Sequence, residues 1–389
     1  MTVARLDKVV TITMGQAPPG ESYNNEGNGL PLIAGAGDFT RSGIEVKKYT
    51  TNSSKTSVPG DIILGIRASI GDKRVADGKY ALGRGVASLR PTELINRRYL
   101  WHWLSHVADE LAGKGKGATF KQVNRQDIGE MRIDVLPILA QQRIADVLDR
   151  VDELRAKRRQ SIALLDDLAQ SIFLDMFSDP LARAGGSTLA DACADIRTGP
   201  FGSSVHKEDY VTGGVPLVNP VHIVRGRIRP DMSLSVASDK AIELANFVLR
   251  QGDIVMARRG EMGRCAVVTE SEEGYLCGTG SLIIRLQLHH RAEFFSAAIS
   301  QPSVRRYLED KSLGATLPNL NQGIVSKIPL KIPEAAEQDE FARRLARVNS
   351  MIVAQRGNLS DLDILFASLQ SRAFAGNLWK DDSKDQEGE

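Results

Sequence analysis

A chain of 389 residues is long enough for two or three domains with their own cores, and 42% hydrophobic with 25% charged residues is an ordinary globular balance. No apolar run approaches the length of a membrane span and the opening MTVARLDKVV is not a signal peptide, so the expectation is a cytoplasmic protein. The net charge of +2 allows nucleic-acid binding without demanding it.

That charge is unevenly spread. Residues 1–136 carry 19 Lys and Arg against 14 Asp and Glu, and residues 187–333 carry 17 against 15. Segments 137–186 (7 against 8) and 334–389 (7 against 11) are mildly acidic. The three cysteines, Cys193, Cys265 and Cys277, form no CxxC pair, which fits a reducing compartment.

In chain order, DIILGI (61–66) and GVASLRP (85–91) read as strands bounded by Gly, Asp and Pro turns, and RRYLWHWLSHVADELAG (97–113) reads as a helix. From Pro137 to Phe177 no Gly or Pro interrupts. Ile144, Val147, Val151, Leu154, Ile162, Leu165, Leu168 and Ile172 follow at helical-seam spacing, with a polar break near Arg158. Strands recur at GVPLVNP (214–220), DIVMAR (253–258) and GSLIIRLQ (280–287), and a helix at 292–310. After Pro333 a second seam runs through Phe341, Leu345, Val348, Ile352, Leu359, Leu362, Phe366 and Leu369, with Gln355 at the matching break and Gly357 as its one weak helix former. Each long helix should span about 40 residues, or about 60 Å. The segment from Lys380 is polar and acidic and reads as disordered.

Residues 1–186 are thus written again, loosely, by 187–376. GATFKQVNRQDIGEMRIDVLPILAQQRIADVL from Gly117 answers GATLPNLNQGIVSKIPLKIPEAAEQDEFARRL from Gly314, and VPGDIILGIRASIGDKR answers LRQGDIVMARRGEMGR. A repeated module presents two similar surfaces, which suits a partner with two sites.

No catalytic constellation stands out. GKGKGAT (113–119) lacks the phosphate-loop spacing, and GRG (83–85) and GTG (278–280) read as turns. VNPVH (218–222) matches a methyltransferase signature only superficially. His102 and His106 lie at i, i+4 but lack the Glu of a zinc helix, and His289 and His290 lack a third ligand.

The recurring motifs look like binding loops. Lys114, Lys116, Thr119, Lys121, Gln122 and Asn124 lie in one, and Thr316, Asn319 and Asn321 in its second copy. Lysines there would meet phosphates, while the amides would read base edges or cap the turn. Arg67, Lys73 and Arg74 flank a hairpin turn at Gly71, as Arg258, Arg259 and Arg264 flank Gly260. A third candidate is the pair of loops at 14–25 and 197–210, which differ most between copies and include Ser203 and Ser204.

Together these residues resemble the specificity subunit of a Type I restriction–modification system. The resemblance covers nearly the whole chain and rests on LPILAQQRIADVLDRVDEL (136–154), TGPFGSSVHKEDY (198–210), GATLPNLNQ (314–322) and GDIVMARRGEMG (252–263). It implies a mixed α/β (α+β) protein with pseudo-two-fold symmetry. Target-recognition domains at 1–136 and 187–333 would be joined and separated by antiparallel coiled-coil helices at 137–186 and 334–376, followed by a tail at 377–389. Each domain would read one half of a bipartite, asymmetric site in double-stranded DNA, and the helices would set the gap. They would dock two modification (methyltransferase) subunits through Gln142, Ile144, Leu148, Gln338, Phe341 and Leu345. Two restriction subunits are further candidate partners. The chain itself would be non-catalytic and bind no cofactor or metal. S-adenosylmethionine would sit on the modification subunits, and ATP with magnesium on a restriction subunit. The alternatives are the specificity module of a self-contained restriction–methylation enzyme, or a coiled-coil scaffold that binds only proteins.

Overall fold

The computed structural model describes residues 2–40, 43–117, 121–181, 186–312 and 319–378, apart from the Ser203 side chain. It divides into two compact units, one of residues 1–159 with 357–389 and the other of residues 160–356. Each unit therefore holds one α/β module, the near half of the helix that leaves it, and the far half of the other long helix. Among the described residues no helix is long and apolar enough to cross a membrane.

In the first unit, Val10–Met14, Val86–Pro91, Ile62–Gly65 and Lys73–Val75 form an antiparallel sheet in that order. A second sheet runs Tyr23–Asn24, Lys48–Thr50, Leu30–Ile33, Ala81–Leu82, and its last pair is parallel. The second unit repeats both orders. Cys193–Thr198, Ser281–Leu286, Ile254–Ala257 and Cys265–Val267 make the first sheet, and Tyr210–Val211, Ser235–Val236, Val215–Val218 and Leu276–Cys277 the second. The apolar runs read as strands are central and buried on both faces, which is why they lack alternation. The late helices are each broken in two: Arg97–His106 is followed by Ala108–Gly113, and Ala292–Ile299 by Pro302–Lys311. Pro302 explains the second break, because it sits where a helix can start but not continue.

The repeated Gly-Asp-Ile motif has a structural cause. Asp61 is buried and accepts from Arg90 Nε (2.8 Å), Arg90 Nη2 (3.0 Å), Ser88 Oγ (2.6 Å) and the Val58 N–H (3.0 Å). Asp253 does the same with Arg285 at 2.8 and 2.6 Å and with the Arg250 N–H at 2.8 Å. Burial alone would raise the Asp61 pKa, but these donors outweigh it and hold the carboxyl below its ordinary value. The two GxG fragments are close-contact points. A Cβ on Gly15 would lie 2.1 Å from the Gly83 carbonyl oxygen, and one on Gly199 would lie 2.0 Å from that of Gly278.

The long helices are Ile138–Phe177 and Ala335–Phe374, each of 40 residues, and Gly357 does not interrupt the second. Within the first unit the two segments run antiparallel: Arg155 meets Asp363 at 2.6 Å, while His102 touches Asp149 and Phe366. Within the second unit Phe173 and Phe177 pack on Phe341, and Phe177 on Phe294 at 4.9 Å.

A buried glutamine fastens the start of each helix to its own module. Gln141 Oε1 accepts from the Asn96 N–H (2.8 Å), and its Nε2 donates to the carbonyls of Leu94 (2.9 Å) and Leu136 (2.7 Å). Gln338 accepts from the Arg291 N–H (3.0 Å) and donates to the Pro333 carbonyl (2.9 Å). The expectation for Gln142 is therefore corrected: Gln141 is the counterpart of Gln338, and Gln142 is half-exposed beside it. Ile144, Leu148 and Phe341 are buried in their own modules, and Leu345 packs against the same core as Phe341. Ile144, Leu148, Phe341 and Gln338 cannot be the face offered to a partner, because their side chains are already covered, whereas Leu345 is only half-buried.

Gln141→Ala strands two carbonyls and one N–H at about 1–3 kcal/mol each before relaxation, so a loss of about 3 kcal/mol is expected in denaturant unfolding. Gln142→Ala should stay within about 0.5 kcal/mol. Equal losses would refute the assignment.

Candidate nucleic-acid interface

Two loops that are distant in sequence form one layer at the end of the first module. Lys116 and Gln122 exchange backbone hydrogen bonds at 3.0 and 2.9 Å, closing a loop between them. Arg67 bridges Gln122, the Ala68 N–H donates to the Lys121 carbonyl (3.2 Å), and the Val123 N–H donates to the Ile66 carbonyl (3.0 Å). Ala68 takes a left-handed φ of 61°, which turns the chain out of the strand beside this loop. Lys116, Lys121 and Gln122 are exposed and Arg67 is half-exposed. Lys114 closes the preceding helix and pairs with Glu110 at 3.5 Å. Thr119 lies outside the described residues.

The second module builds the same layer. The Leu320 N–H donates to the Arg258 carbonyl (2.9 Å), and Arg258 Nε donates back to the Leu320 carbonyl (3.0 Å). Aligning Asp61 with Asp253 sets Arg259 where the first module has Arg67, and Arg259 is exposed. Burial, then the neighbouring Arg259, lowers the pKa of Arg258. Asn319 stands in the place of Gln122, and its side-chain oxygen is buried without a hydrogen-bond partner among the described residues. Thr316 lies outside the described residues. Ser204 ends a short turn, Gly202–Ser204, whose backbone closes onto Phe201 at 2.9 Å. Ser203 shares that turn.

Several expected contacts are engaged elsewhere. Lys73 is corrected: it is 9% exposed, donates to Ser105 Oγ at 2.6 Å and lies 4.7 Å from the Trp101 ring centroid. Burial pushes its ammonium pKa down to about 8. Its counterpart is the buried Cys265, so this position faces inward in both copies. Arg74 is likewise spent on the Thr40 carbonyl through Nε (2.7 Å) and Nη2. Arg264 pairs with Glu261 at 2.6 Å and donates to the Pro220 carbonyl. Asn124 and Asn321 cap the short helices Arg125–Gly129 and Gln322–Ser326, accepting backbone N–H groups at 2.7–3.0 Å and 2.9 Å. Their amide oxygens are therefore committed to the backbone. His102 bonds Asp149 at 2.7 Å and His106 stacks on Phe374, so the pair serves packing. One surface residue was not singled out from the sequence: Phe201, 81% exposed between Pro200 and Gly202. An aromatic residue flanked by turn formers was the available signal.

The family described as the Type I restriction modification DNA specificity domain matches residues 1–164 and again residues 194–359. The chain belongs to this family. A Methanocaldococcus jannaschii protein named as the type I restriction enzyme MjaX specificity subunit is 32% identical over 155 residues. That match covers 40% of this chain and 36% of the relative, about a third of the latter's length. The type I restriction enzyme EcoBI specificity subunit of Escherichia coli is 20% identical over 421 residues, covering 98% of this chain and 87% of that one. In fold, the chain is similar to the Type I restriction–modification S subunit from M. genitalium, with a TM-score of 0.56 at 16% identity over 96% of each chain. It is also similar to a chain from a study of complex assembly and conformational transition of the type I R-M system. There the TM-score is 0.58 at 16% identity, over 97% of this chain and 98% of that one. In this specificity chain the duplicated family match coincides with the duplicated sheets and the duplicated basic layer.

Replacing Lys116 and Lys121 by Ala should weaken DNA binding across all sequences and reduce the slope of log K against log salt by about 2, at roughly 0.9 per phosphate contact. Lys73→Met should leave that slope unchanged. The reverse pattern, in salt-titrated binding isotherms, would contradict this assignment.

Proposed function

We propose that this chain supplies sequence recognition to a Type I complex, with each module reading one half of a bipartite, asymmetric DNA site. The supporting observation is the repeated layer that places Arg67 and Arg259 at equivalent positions, while the adjoining loops at 14–25 and 197–210 differ. A shared frame meets both half-sites in the same way, and unlike loops read different bases. The chain is non-catalytic on this reading. Two methyltransferase subunits carry S-adenosylmethionine, restriction subunits carry ATP and magnesium, and the long helices set the distance between half-sites.

The methyltransferase subunits dock on apolar side chains that the modules leave uncovered. In the second unit these include Leu164 (60% exposed) and Val353 (63% exposed). Exposed leucines on a surface helix are individually unremarkable, but a partner supplies the burial that a cluster of them lacks.

Exchanging residues 187–333 for those of another family member should change one half-site and leave the other intact in a methylation-sequencing assay. A change in both halves would contradict independent modules. Leu164→Glu with Val353→Glu should lower recovery of the methyltransferase subunit at least tenfold in copurification, without altering the melting temperature of the chain. Undiminished recovery would place the docking surface elsewhere.

A further inference from the structure

The second unit carries a basic cluster outside the recognition layer. Residues 222–229 form a hairpin in which Ile223–Val224 pairs with Arg227–Ile228. Its two turn residues, Arg225 and Gly226, both have positive φ, at 50° and 70°. Such a turn suits Asn-Gly, and a non-Gly residue in this region costs about 1 kcal/mol, so Arg225 is held there against its backbone preference. The local sequence RGRIR puts Arg225, Arg227 and Arg229 on one short ribbon.

That ribbon lies against both long helices of its own unit. Arg225 Nη1 is 3.5 Å from Asp166 Oδ2 on the first helix, and Arg227 Nη2 donates to Asn349 Oδ1 at 2.9 Å on the second. Arg356 joins them from the second helix. Burial, then Arg227 and Arg229, holds its guanidinium pKa below the ordinary value, with Asp166 opposing and Arg225 adding to the effect. Asp166 pairs with Arg225, and Arg225, Arg227 and Arg229 all lie close enough to Arg356 to act on its charge. Asp166 Oδ2 is buried and, among the described residues, has no hydrogen-bond partner beyond its 3.5 Å approach to Arg225. Arg225 is 64% exposed in its side chain, and Arg229 is exposed with no side-chain partner among the described residues. Four like charges with one counter-charge repel each other unless an anion joins them. The planar guanidinium fork matches phosphate oxygens two at a time.

We infer that Arg225, Arg227, Arg229 and Arg356 hold the sugar–phosphate backbone of double-stranded DNA away from the bases that the recognition loops read. The inference rests on the DNA-reading function proposed above. Its contribution is to register and affinity and not to sequence choice, because a phosphate contact carries no base information. A polyanion fits better than a single small anion because the cluster extends from a hairpin tip to a helix face.

The test uses the full chain and a mixed-sequence DNA duplex of about 40 base pairs, titrated from low to physiological salt. The variant is Arg225→Asn with Arg229→Ala; asparagine accepts a left-handed φ, so the turn is preserved. The slope of log K against log salt should fall by about 2, at roughly 0.9 per phosphate. Lysine at both positions should restore most of the slope, and glutamate at both should weaken binding further. Preference for the cognate over a random duplex should not change. Wild-type binding with an unaltered slope in the variant overturns this inference and leaves the DNA-reading function standing. An unaltered slope together with loss of a copurifying subunit assigns the patch to an acidic protein surface, which also overturns it. No duplex binding by the wild-type chain at low salt overturns the DNA-reading function and this inference together.

Discussion

Everything this chain could do at a distance depends on a glutamine buried at the start of each long helix. Gln141 and Gln338 satisfy backbone groups from the segment just before each long helix and from the turn ahead of the late helix. A buried side chain with that many partners has one orientation, because any other strands polar groups at about 1–3 kcal/mol each. The next turn adds apolar locking through Ile144 and Leu148 in one unit and Phe341 in the other. Each long helix therefore begins as an extension of its own module. A flexible linker would let each module search independently; a fastened helix transmits its direction.

On the proposed reading, the repeat divides its labour by chemistry. The buried carboxylates Asp61 and Asp253 take Arg90 and Arg285 at the start of the strands whose far ends lead to Arg67 and Arg259. These pairs are the same in both copies because the frame is the same. The loops resting on that frame are free to differ. Phe201 belongs to the longer and more highly charged loop of the second copy, and the first copy has the proline pair Pro18 and Pro19 in its corresponding loop. With a net charge of only +2, phosphate attraction is modest, so specificity falls on the loops and on paired engagement of both modules.

Much of this was legible in the sequence. The duplication, the central strands and both 40-residue helices follow from spacing, because period and length are local signals. The site was less legible. Lys73 reads as a basic tip until it is set beside Cys265, whose place shows that the strand pleat aims this position inward. Gln141 and Gln142 are chemically identical neighbours, and only the packing of the helix start distinguishes them. Asn124 and Asn321 were recognisable as caps or readers, and the short helices that follow them decide for capping. The adjacency of Arg67 to Gln122 joins residues 55 positions apart, which no local pattern encodes. The arginines of the 222–229 hairpin were visible only as scattered charges, since their common neighbours Asp166, Asn349 and Arg356 come from both helices.

The central claim is that fastened helices convert their length into the spacing of a bipartite site. Inserting one heptad after Arg158 and one after Gln355 lengthens each helix by about 10 Å and keeps the apolar seam in phase. Methylation sequencing with the assembled complex should then report the same two half-sites separated by about three additional base pairs, at 3.4 Å each. The same half-sites at the original spacing would contradict the account.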